Sequence, residues 1–164
     1  MQTDTLHIRP IEQQDNLQMA KIIREVMTAY GAVGDGFSIN DPEVDQMYEF
    51  YQESGCSYLV LSDGQQVWGG GGIGPLVGAE PGICELKKMY FLPGVRGKGM
   101  GQRIVNALIA EAQKLGYQTC YLETLERMTE AKALYLKMGF KKLCGQLGNT
   151  GHGGCDSFYS KEIA

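Results

Sequence analysis

Along this chain the period of apolar and polar positions changes repeatedly, and each change predicts an element. Residues 5–9 (Thr-Leu-His-Ile-Arg) alternate and predict a first strand closed by Pro10. Asp15 is a good N-cap, and Leu17, Ala20, Ile23, Met27 and Tyr30 follow it at helical spacing. After a glycine-bearing loop over 31–38, Asp41-Pro42-Glu43 offers a cap, a first-turn proline and a first-turn acid. They introduce a second short helix through Val44, Met47, Tyr48 and Tyr51. Residues 57–61 read as a buried strand, and Asp63-Gly64 as a hairpin turn into a strand over 66–73. The run Gly69-Gly70-Gly71-Gly72 inside it reads either as a bulge or close backbone approach, or as a flexible turn.

The stretch over 83–115 organises the rest. Its first part is a strand rich in apolar and aromatic residues that Pro93 ends, and a glycine-rich loop follows. Ile104, Val105, Leu108, Ile109, Ala112 and Leu115 then lay out one buried stripe of a helix stopped by Gly116. Residues 118–124 predict a further strand. Met128, Ala131, Leu134, Tyr135 and Met138 line a helix ended by Gly139, and residues 141–144 and 156–161 predict two last strands.

Chemistry is expected at the strand–loop–helix junction. The first amides of a helix have no intrahelical partner, and the macrodipole adds roughly half a positive charge there. Glycines bring bare amides against an anion, and Arg96 and Lys98 add charge, so a phosphate or pyrophosphate suits the place. Two familiar nucleotide loops fit badly. Gly101 is followed by Gln102-Arg103 rather than Lys-Ser/Thr, and the glycine spacing is not that of G-x-G-x-x-G.

Arg96-Gly97-Lys98-Gly99-Met100-Gly101 resembles the R/Q-x-x-G-x-G/A signature of the GCN5-related N-acetyltransferase (GNAT) superfamily. Ala131-Lys132-Ala133-Leu134-Tyr135-Leu136-Lys137-Met138-Gly139-Phe140 resembles the family's second motif, A-x-x-L-Y-x-x-x-G-F. The resemblance covers residues 83–140. It implies an α/β (α+β) fold with a mixed, strongly twisted sheet of six to seven strands and about four helices. It also implies transfer of an acetyl group from acetyl-CoA, as cosubstrate, to an amine of a small molecule or peptide by direct attack in a ternary complex. By motif position, Met89, Tyr90 and Phe91 lie along the pantetheine arm, with Arg96, Gly97, Lys98, Gly99, Met100, Gly101 and Gln102 around the pyrophosphate. Tyr135 takes the place of the tyrosine that protonates the CoA thiolate, or is one more core aromatic. Glu85 and Glu123 are alternative general bases, each needing desolvation to raise its pKa. Met128 stands where many members carry a pantetheine-binding asparagine, so that contact is not carried over. The early helices and the 31–38 loop shape the acceptor site in the family, which makes Tyr30, Phe37 and Tyr48 candidates to line it. Homodimers are usual in the family.

His152 and Cys155, in Gly151-His152-Gly153-Gly154-Cys155-Asp156, invite a metal or nucleophile reading. Zinc needs three or four protein ligands, and the only other histidine is His7, so no metal is expected. The loop reads instead as a cover over the acceptor pocket, with His152 or Asp156 touching substrate, or as a plain turn.

Composition narrows the classes. The 164 residues are expected to form one domain over 1–164. A net charge of −4 argues against nucleic acid or an anionic membrane as partner. No apolar run approaches a membrane span, and Met1-Gln2-Thr3-Asp4 does not begin a signal peptide. Five scattered cysteines without a C-x-x-C pair read as reduced core residues of a cytoplasmic protein. The alternative to an enzyme is a non-catalytic acyl-CoA-binding sensor, which would need neither Tyr135 nor a carboxylate in the cleft.

Overall fold

The computed structural model describes residues 5–164; residues 1–4, read above as no signal peptide, lie outside the described residues. The strand-patterned segments are β1 (His7–Pro10), β2 (Ser57–Ser62), β3 (Val67–Pro75), β4 (Ile83–Phe91), β5 (Thr119–Thr124), β6 (Lys141–Leu143) and β7 (Ser157–Glu162). The helices are α1 (Asn16–Ala29), α2 (Met47–Phe50), α3 (Met100–Lys114) and α4 (Thr129–Lys137). The strands form one seven-stranded sheet in the order β1-β2-β3-β4-β5-β7-β6. Every neighbouring pair is antiparallel except β4 and β5, which the α3 crossover makes parallel. The expected mixed α/β architecture is the one observed.

Alternation along β2 divides the core. Tyr58 and Val60 face α1 and α2, joining Met19, Ile23, Val44 and Met47. Leu59 faces the other way, into a core with Ile73, Ile104, Leu108, Tyr135 and Tyr159 under α3 and α4. The buried face of α1 is Met19, Ala20, Ile22, Ile23, Val26 and Met27. Leu17, expected on that face, is 84% exposed, because the stripe is centred two positions later. Leu115 is likewise 45% exposed, since it is already the C-cap residue of α3. Asp15 makes no capping bond at α1; its carboxylate takes a two-pronged bond from Arg9 and another from the Glu12 amide. The second helix is shorter than expected, a 3-10 turn over Pro42–Asp45 followed by the single turn of α2.

The four glycines are strand, not turn. A Cβ at Gly70 would lie 2.7 Å from the Tyr58 ring, and one at Gly72 would lie 2.5 Å from Tyr58 and 2.7 Å from Tyr51. On the opposite face, a Cβ at Gly69 would meet Phe91 at 2.5 Å, and one at Gly71 would meet Leu108 at 3.0 Å and Met89 at 3.1 Å. Both faces of β3 are therefore occupied by neighbouring side chains laid on bare backbone. All five cysteines are unpaired, and among the described residues no helix is long and apolar enough to cross a membrane. Replacing Gly72 by Val should cost at least about 1–3 kcal/mol, the usual penalty for overpacking. Urea melts would read this against Gly145→Ala, a site where a Cβ meets nothing within 4 Å.

Candidate active site

The site begins where two strands part. β4 and β5 pair only at Ile83–Thr119, Cys84–Cys120 and Glu85–Tyr121; beyond these, residues 86–91 and 122–124 run on without pairing to each other. On its other side β4 shifts register against β3, from Gly72–Lys87 to Gly70–Tyr90, which inserts one extra residue into β4. This is a β-bulge, and it kinks the strand away from β5. Lys88 at the bulge has φ +55°, a left-handed conformation unusual for a lysine. It is held from both ends. Tyr58 donates to its carbonyl at 2.6 Å, and its ammonium, fully buried, reaches Asp41 at 2.5 Å and Glu43 at 3.4 Å.

The gap opens into a cavity of about 380 Å³. Met89, Tyr90 and Phe91 line it from β4, and Arg96, Gly97, Gly99, Met100, Gly101 and Gln102 line it from the glycine loop and the start of α3. Gly97 and Gly99 have φ of +72° and +77°, and a Cβ on either would meet nothing within 4 Å, so the loop presents backbone to open space. Gly101 is used differently: a Cβ there would lie 2.8 Å from Leu134 of α4, so its absence admits that side chain. Arg96 donates from Nε to the Phe91 carbonyl at 2.9 Å, tying the loop to the end of β4. Lys98 is exposed and does not line the cavity.

Acid–base groups gather at the cavity's other end. Glu85 is 4% exposed, and its carboxylate has no hydrogen bond or ion pair among the described residues. Burial raises its pKa, with Lys87 opposing. Glu123 is held by contrast, with acceptor capacity to spare on Oε1: Tyr121 Oη donates at 2.6 Å, Thr150 Oγ1 at 2.7 Å and Gln146 Nε2 at 2.8 Å. His152 Nε2 bonds Asp41 Oδ2 at 2.7 Å, which joins its loop to the Lys88 ion pair. Tyr135 lines the cavity from α4, buried among Phe140 and Tyr159, and burial raises its pKa. Tyr30 and Phe37 line the cavity, Phe37 lying against Gly154 of the His152 loop. Tyr48 packs on the α1 core without lining the cavity. Asp156 is exposed, and its carboxylate accepts from the Glu126 amide instead of facing the cavity. The Cys155 thiol is pushed up to about 12, by burial first and then by Glu123 and Glu85, which disables it as a nucleophile.

Sequence reasoning missed two members. Asp41 carries a helix-cap signature and Lys88 sits in a strand pattern, so neither signalled a partner; only the fold brings them together across 47 positions. It also did not foresee that one oxygen each of Glu85 and Glu123 and a ring nitrogen of His152 lie within 4.8 Å of one another.

The sequence model of the Acetyltransferase (GNAT) family matches residues 20–140 of this chain. The chain belongs to that family. The uncharacterized N-acetyltransferase YjgM of Escherichia coli K12 is 41% identical over 157 residues, covering 95% of this chain and 94% of its own. Among solved structures, a GNAT-family acetyltransferase from Staphylococcus aureus Mu50 superposes with a TM-score of 0.80 at 17% identity, over 97% of this chain and 99% of its own. A GNAT superfamily phosphinothricin acetyltransferase from Sinorhizobium meliloti, in complex with AcCoA, superposes at 0.75 and 18% identity, over 97% and 89%. These last two likenesses concern the fold.

Burial of Glu85 has a consequence for stability. A carboxyl with a raised folded pKa favours the folded state below the unfolded value, about 4.3, and loses that advantage as pH rises through the folded value. Glu85→Gln should therefore melt above the wild type at about pH 8, and the difference should vanish below about pH 4. Scanning calorimetry at both pH values checks this; equal melting at the higher pH would mean that the charge is already compensated.

Proposed function

We propose that this GNAT-family N-acetyltransferase moves the acetyl group of acetyl-CoA to a primary amine by direct attack in a ternary complex. The observation that carries the reading is the parting of β4 from β5 beside a glycine loop that lines the cavity and has open space at Gly97 and Gly99. Such a gap suits an extended pantetheine arm along Met89, Tyr90 and Phe91, with the pyrophosphate at the start of α3. The acceptor would enter at the Glu85 end.

The two titratable groups best placed for the chemistry have complementary states. Glu85 is the favoured base over Glu123, because its oxygens are free to accept a proton and its burial makes it more basic. It takes a proton from the ammonium, and the neutral nitrogen attacks the thioester carbonyl carbon. As the C–S bond breaks, the Tyr135 phenol gives its proton to the departing sulfur, and the second proton, shed by the nitrogen as the amide forms, passes to solvent, from which the phenol is reprotonated. Burial keeps that phenol fully protonated beforehand. Glu123 serves as a fixed negative charge oriented by Tyr121, Thr150 and Gln146. The amine acceptor and a cytoplasmic location, with homodimeric assembly, complete the proposal.

Acetyl-CoA should raise the melting temperature, and replacing Gly99 and Gly101 together by Val should remove that protection. Unchanged protection would count against the loop as the pyrophosphate site. With an accepted amine, Tyr135→Phe should lower kcat by about 10²-fold, within the usual range for a lost proton donor, while leaving the acetyl-CoA Kd nearly unchanged. Thiol-release assays and calorimetry separate the two effects; an unaltered kcat would return Tyr135 to a packing role.

A further inference from the structure

We infer that the acceptor is a primary alkyl- or arylalkylamine that binds as its ammonium among Glu85, Glu123 and His152, with an apolar tail and no carboxylate beside the nitrogen. The inference deepens the acetyl-transfer reading and rests on it.

The seat is a largely buried carboxylate that no cation among the described residues contacts directly. Glu85 is 4% exposed, lines the cavity, and has no hydrogen bond or ion pair among the described residues. Nearby cations are engaged elsewhere: Lys88 with Asp41 and Glu43, and Lys87 over the Phe50 ring at 5.1 Å. Burial leaves this cavity-lining carboxylate poorly solvated, and a ligand cation would relieve it. Glu123 is the second acceptor, its side chain locked by three donors. His152 is the third. Burial alone would raise the Asp41 pKa, but the bond from His152 and the charge of Lys88 outweigh it and hold Asp41 anionic. An anionic carboxylate accepts only, so His152 Nε2 donates in that bond, and Nδ1 is the ring nitrogen left to meet a ligand.

The spacing admits a primary ammonium. Three N–H bonds to acceptors at about 2.8 Å span acceptors roughly 4.6 Å apart, and the three groups lie within 4.8 Å of one another. What surrounds the seat decides the rest of the molecule. Val26, Met27, Tyr30 and Phe37 line the same cavity as one apolar cluster and offer an apolar tail its cover. A carboxylate on the carbon bearing the nitrogen would be brought against Glu85 and Glu123, where like charges repel at low dielectric.

The test is calorimetry on the CoA-saturated protein, which cannot turn over, with phenethylamine, phenylalanine and 2-phenylethanol as probes. Phenethylamine should bind at least about tenfold more tightly than either of the others, and Glu85→Gln should erase about tenfold of its affinity. Should that variant fail to fold, the three-probe comparison on the wild type still decides. Phenylalanine binding as tightly as phenethylamine would overturn the inference, as would 2-phenylethanol doing so. So would no phenethylamine binding below about 10 mM. Zinc chloride binding in micromolar range and lost in His152→Gln would also overturn it, by making the three groups a metal site. Failure of acetyl transfer itself reads differently: phenethylamine bound as expected but never acetylated from acetyl-CoA would sink the proposed function and leave the ammonium seat standing.

Discussion

The buried ammonium of Lys88 is the constraint from which the site's shape follows. Burial alone would push its pKa down, and the charges of Asp41 and Glu43 outweigh that. Because the ammonium must meet both carboxylates, the backbone accepts a left-handed residue in mid-strand, and that residue is the bulge that turns β4 from β5. Asp41 passes the constraint on to His152. One ion pair thus fixes three parts of the chain: the bulge, the 3-10 segment over Pro42–Asp45, and the loop around His152. Removing one member of such a buried pair typically costs about 3–5 kcal/mol, since the other is left uncompensated.

The glycine strand β3 complements this rigidity. Phe91 and Met89, which line the cavity, lean on Gly69 and Gly71, while Tyr58, which holds the bulge carbonyl, lies over Gly70 and Gly72. Side chains on β3 would lift these residues off the sheet and close the gap that the bulge opens. The floor of the site is therefore set by backbone, and its walls by side chains that the backbone admits at close range.

Much of the fold was legible because period is local. The strands, the long helices α1 and α3, and the helix around Tyr135 all announce themselves by spacing, capping and stop signals within a few residues. The glycine loop was legible because its two positive-φ residues, Gly97 and Gly99, are required by backbone geometry. What stayed hidden was partnership across distance. Asp41 has the local pattern of a helix cap, and nothing within ten residues says that its carboxylate belongs to Lys88 and His152. Glu85 and Glu123 could be placed on strands, but their difference comes from the third dimension: one is desolvated and unpartnered, the other held by donors from β5 and from residues 146 and 150. Asp156 was expected at the substrate for the same reason, adjacency in sequence to His152, and faces away because its carboxylate is engaged by the Glu126 amide.

The parting of β4 from β5 leaves a sheet edge in the interior of the molecule. Edges are ordinarily hazards, rows of unpaired donors and acceptors that recruit foreign strands, and proteins guard them at the rim with charge or cover. Here the row lies in a cleft bounded by α4 on one side and by the bulged strand on the other. A whole hairpin cannot enter, whereas a single slender chain can. The same architecture thus makes the edge adhesive to one class of guest and sterically closed to aggregation.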